Sequence, residues 1–78
     1  MKAQDARKRV AADLRENAHA IRKEDANAAH VTEAEKDADL ASRLQWANEV
    51  EQGQHDGNFS VWQRMREYTH GDCPPFLP

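Results

Sequence analysis

All five aromatic residues of this 78-residue chain lie in its last 33 positions: Trp46, Phe59, Trp62, Tyr68 and Phe76. The first 45 residues have none. They are a run of Ala, Arg, Lys, Glu and Asp with a few aliphatics spaced through it. Large rings carry most of the burial and contact energy of cores and interfaces. Whatever this chain packs or grips is therefore expected in its C-terminal third, while the N-terminal half contributes length, charge and a light apolar stripe.

That composition points to helices. Residues 3 to about 26 hold strong helix formers with no Gly or Pro among them. Ala6, Val10, Leu14, Ala18 and Ile21 recur at helical spacing and share one face. Thr32-Glu33-Ala34-Glu35 reads as a capping box, with the Thr32 hydroxyl accepting from the Glu35 amide. Acidic residues crowd the turns that follow, where the helix dipole favours them. A second helix is expected over about 33–52, with Leu40, Leu44, Ala47 and Val50 as its apolar face, Trp46 on the flank and Gly53 as its stop.

Gln54 to Gly57 reads as a turn. A β-hairpin around Asp56-Gly57 is the weaker alternative, because its flanks do not alternate. Ser60-Val61-Trp62-Gln63 resembles a second capping box and places a third helix at about 60–70, with Trp62, Met65 and Tyr68 on one face. Pro74-Pro75 prevents its resumption, and residues 71–78 are expected to be an extended, polyproline-like tail. The expected fold is one all-α domain over residues 1–78: a helical hairpin, a short third helix and a Pro-rich C-terminal tail.

Leu, Ile, Val and Phe total 11 of 78 residues. So few large apolar groups leave a lone domain marginal, and a partner surface or a second copy is expected to supply further burial. The net charge of −3 is unevenly spread. Residues 1–25 hold seven basic and five acidic groups; residues 26–57 hold two basic and seven acidic.

The single cysteine, Cys73, forbids an internal disulfide and suits a reducing cytoplasm. The N-terminus has no apolar segment of the signal-peptide kind, and no stretch has the length of a membrane span. No metal site is expected, because Cys73 with His55 and His70 falls short of the paired ligands zinc requires. No cofactor is expected, and nothing in the chain suggests catalysis.

Two readings compete for the aromatic cluster. Trp46, Phe59, Trp62, Met65 and Tyr68 form either the small core under the third helix, which is the preferred reading, or a contact patch for another protein. Phe76 in the tail is a further contact candidate. The acidic Glu35, Asp37 and Asp39 suit a basic surface on a partner. Arg7-Lys8-Arg9 and Arg22-Lys23 suggest phosphate contacts, but interleaved acids break the stripe and disfavour nucleic-acid binding. The expected function is non-enzymatic: an adaptor or stoichiometric inhibitor of a larger cytoplasmic protein. In size and composition the chain is similar to accessory and anti-defence proteins of phages and plasmids. The alternatives are a self-associating structural protein that uses the Val10-Leu14-Ile21 stripe as its seam, and a nucleic-acid-binding accessory protein.

Overall fold

The computed structural model describes residues 3–69. Helix α1 spans Ala3–Asp25, α2 spans Glu33–Glu51 and α3 spans Phe59–Met65, with a 3-10 turn, Arg66–Tyr68, continuing α3. Among the described residues there is no strand, so the hairpin alternative at Asp56-Gly57 is set aside. The expected tail, with Phe76, lies outside the described residues.

Helices α1 and α2 pack against each other as the expected hairpin. The stripe of α1 is buried as its spacing requires: Ala6, Val10, Leu14 and Ala18 are all in the interior, joined by Ala11, which the stripe omitted. Val10, Ala11 and Leu14 meet Ala47 and Val50 of α2 and Trp62 and Met65 of α3 in one cluster. Trp46, Val61 and Tyr68 pack at its edge. The Val10-Leu14-Ile21 stripe is thus consumed inside the molecule and does not form an outward seam: Val10 and Leu14 are buried and Ile21 half-buried. Leu40 and Leu44 are only half-buried, because α3 covers the Val50 end of the hairpin and leaves the other end two helices thick.

Thr32 caps α2 as expected, its hydroxyl accepting from the Glu35 amide at 3.1 Å. The cap of α3 is different from the expected one. Asn58, not Ser60, begins the helix, its side-chain oxygen accepting from the Val61 amide at 3.2 Å. Asn is at least as good a cap as Ser, and it stands directly after the left-handed Gly57, where the chain reverses. The α-helix also stops at Met65 and tightens into the 3-10 turn, short of the expected limit at residue 70.

The charge asymmetry of the sequence is spent between the helices. Arg15 reaches Glu51 at 3.0 Å and Asn48 at 2.9 Å. Arg22 reaches Glu33 at 2.8 Å and Asp37 at 3.2 Å. Arg7 grips the Asp56 carboxylate with two guanidinium nitrogens, the Nε contact being 3.1 Å. Three arginines of α1 therefore hold acids of α2 and of the turn that follows it.

Among the described residues Lys36 is the one charged side chain that is buried, at 4% exposure. It lies on the same helical face as Leu40 and Ala47, so the hairpin interface swallows its stem. Its Nζ escapes by donating to the Ala26 carbonyl at 3.3 Å and to Glu33 at 3.1 Å. It thereby ties the end of α1 to the start of α2.

A candidate docking groove on the outer face of α2

Helix α2 presents two faces. The apolar one, with Ala47 and Val50, meets α1 and α3 in the core. The second carries Ala38, Ala41, Ser42 and Gln45, separated by steps of three, one and three residues, so they share the opposite side. These four, with Trp46, Glu49 and Arg64 of α3, line a solvent-open groove of about 790 Å³. Ala38, Ala41, Ser42 and Gln45 are all exposed, and Trp46 is half-buried.

Trp46 is the apolar wall of the groove and is held in place from behind. Its ring meets Tyr68 edge-to-face, with centroids 5.9 Å apart at 80°. The Arg43 guanidinium lies 5.8 Å from the Tyr68 ring centroid and also donates to Asp39 at 2.8 Å. Tyr68 therefore links a ring that borders the groove to a charged pair on α2. Glu49 closes the C-terminal end. It accepts from the Gln45 amide at 3.2 Å and lies 3.0 Å from His55 Nε2. The Gln45 hydrogen bond, followed by that to His55, holds its carboxyl below the usual glutamate range. His55 in turn presents its backbone carbonyl to the Trp62 indole at 2.9 Å, which fixes the turn against α3.

The expected contact residues divide sharply. Trp62 and Met65 are 0% exposed and belong to the core. Phe59, expected in that core, is 58% exposed at the first turn of α3. Trp46 and Tyr68 are half-buried, one bordering the groove and the other supporting it. Asp37 is engaged by Arg22 and Asp39 by Arg43, so the acidic run is largely answered within the chain. Glu35 is exposed, and its position seven residues before Ser42 extends the groove face toward the start of α2. On the basic side, Arg7 and Arg22 are committed to internal ion pairs, which leaves Lys8, Arg9 and Lys23 as the exposed members of the two basic clusters.

Ala38, Ala41, Ser42 and Gln45 were not singled out by sequence. The available signal was the small-residue spacing on α2, which the stronger leucine stripe masks. The approach of Arg64 depends on how α3 folds back, and no local pattern encodes that.

The groove is open to solvent along its length. Among the described residues no three His, Cys, Asp or Glu side chains gather as metal ligands, and no helix is long and apolar enough to cross a membrane. What the surface offers is a trough lined by small and polar side chains, one aromatic ring and the charged Glu49 and Arg64. No family model matches the chain, and no curated protein or solved structure shows significant similarity to it.

Proposed function

We propose that this chain is a non-enzymatic binding module, a small helical adaptor or stoichiometric inhibitor, that receives one helix of another protein in the groove between α2 and α3. The observation that carries this reading is the second face of α2, which presents small side chains beside Trp46 and is left uncovered while the first face builds the core. Small side chains let a helix backbone approach closely, and an aromatic wall gives it something to pack against. The hairpin behind the groove, with its packed core and interhelical ion pairs, supports such a role, because a preformed site loses little entropy on binding.

The test is capture from a lysate of the encoding organism with four baits: wild type, Ala41→Arg in the groove, Trp46→Ala in its wall, and Ala12→Arg on the exposed face of α1 as control. Wild type and Ala12→Arg should retain the same partner, Ala41→Arg should lose it and Trp46→Ala should weaken it. Equal capture by Ala41→Arg, with its helical circular dichroism intact, would rule the groove out as the docking site. The same complex should show slowed amide exchange over residues 38–49 of α2.

A further inference from the structure

The hairpin is two layers thick at one end and three at the other. Arg22 pairs with Asp37 and Arg15 with Asn48, and the antiparallel register they set places Ile21 of α1 beside Leu40 of α2. Both of these aliphatics are only half-buried. At the opposite end Trp62 and Met65 of α3 close over Val10, Leu14, Ala47 and Val50. The seat for a third layer therefore continues past α3 to residues that are incompletely covered.

The chain travels toward that seat. Trp62 packs with Val50, whereas Tyr68 meets Trp46 and Arg43, up to seven residues nearer the start of α2. The 3-10 turn also touches α1. Thr69 then leaves helical geometry, extended at φ −118° and ψ 160°. It is half-buried, and its buried hydroxyl has no hydrogen-bond partner among the described residues. The chain is thus still against the hairpin at Thr69. Leu40 is three residues beyond Arg43 in the same direction, about 4.5 Å along α2.

Nine residues follow Thr69, and they hold Pro74-Pro75-Phe76-Leu77-Pro78. We infer that this segment supplies the third layer: it lies across the open end of its own hairpin, with Phe76 and Leu77 over Ile21 and Leu40. Length permits it. Seven residues separate Phe76 from Thr69, a reach of roughly 20 Å at about 3.1 Å per residue. Backbone chemistry favours it. A segment laid over two helices without a ladder of its own buries amide donors that find no acceptor. Three of the five residues 74–78 are prolines, which have no such donor. Prolines also leave the undocked segment fewer conformations to lose. Covalent attachment makes the contact intramolecular, so two side chains suffice where a separate chain would need a far larger surface. Docking there holds the backbone beyond Tyr68 and so keeps that ring behind Trp46. The inference is independent of the groove, which lies on the other side of α2.

Ile21 is the only isoleucine of the chain, so its labelled δ1 methyl gives a single NMR signal. In the full chain that methyl should show a through-space contact with the Phe76 ring. Phe76→Ala should abolish the contact and move the signal, with helical circular dichroism retained. Phe59→Ala, at the exposed start of α3, should leave the signal in place. A urea double-mutant cycle gives a second readout. The combined effect of Leu40→Ala and Phe76→Ala on the folding constant should fall short of the product of the single effects by about fivefold. An Ile21 signal indifferent to Phe76→Ala overturns the inference, as do strictly multiplicative effects in the cycle. A signal that drifts on dilution toward its Phe76→Ala position also overturns it, because the segment would then come from a second copy. So does a Phe76→Ala variant that raises iodide quenching of Trp46 and leaves Ile21 unmoved, which would place the segment in the groove.

Discussion

Trp62 is where the aromatic-poor sequence concentrates its stabilising energy. The ring is fully buried among Val10, Leu14, Val50 and Met65, and its indole nitrogen has a backbone acceptor in His55. Truncation to alanine removes the largest side chain of a small core and leaves a carbonyl unanswered. Trp62→Ala should cost about 3–5 kcal/mol, much of what a domain this size holds in reserve. Urea titration should show the midpoint collapse or the cooperative transition vanish. Trp46→Ala, at the rim, should shift it far less. Lys36 presents the opposite case. Its ammonium is compensated at both contacts but sits on an otherwise apolar face, and buried ion pairs are often no better than an apolar group of similar shape. Lys36→Met should therefore match or exceed the wild-type melting temperature. A marked drop would mean that the bonds to Ala26 and Glu33 hold the interhelical turn in place.

The three helices differ in how much of them could be read in advance. The limits of α1 and α2 fall within one residue of expectation, because periodic aliphatics and the Thr32 cap act locally and agree with one another. The start of α3 was misplaced because Asn58 and Ser60 are both competent caps only two residues apart. The reversal at Gly57, with φ of 76°, decides between them. The two caps are separable by experiment: Asn58→Ala should cost about 1 kcal/mol, as loss of a cap does, while Ser60→Ala should stay within about 0.5 kcal/mol. Thermal melts of the pair would show the order reversed if Ser60 were the cap. The groove was illegible for a related reason. Alanine, serine and glutamine give a weak periodic signal, and Arg64 joins them only through a tertiary reversal. Gly53, which ends α2 at φ of 82°, is part of that reversal. A β-carbon there would stand 3.3 Å from Arg7 Nε while the backbone stayed left-handed. Gly53→Ala should thus destabilise by about 1–2 kcal/mol and loosen the Arg7–Asp56 clasp.

Across the whole molecule, ion pairs tie α1 to α2 and to the turn that follows it. The acids that answer α1 also make the fold sensitive to acid. Glu33 is held below the usual glutamate range, first by its hydrogen bond with Lys36 and then by that with Arg22. Glu49 is lowered at the other end of α2. A carboxyl that is more acidic folded than unfolded stabilises the fold above the unfolded value, near 4.3, and that contribution disappears as pH falls through the lower native value. Melting temperature should accordingly drop as pH descends below about 4.3. Glu33→Gln should start lower at neutral pH and lose less on acidification; parallel curves for the two proteins would contradict this. The same arrangement yields a pair of optical reporters. One indole is sealed in the core and the other borders the groove. Iodide should quench Trp46 and spare Trp62, so quenching follows occupancy of the groove while the emission colour of the protected ring follows unfolding. Excitation passed from Tyr68 to the Trp46 ring beside it would add a signal for the end of α3. An unlabelled sample thus distinguishes filling of the groove from melting of the core.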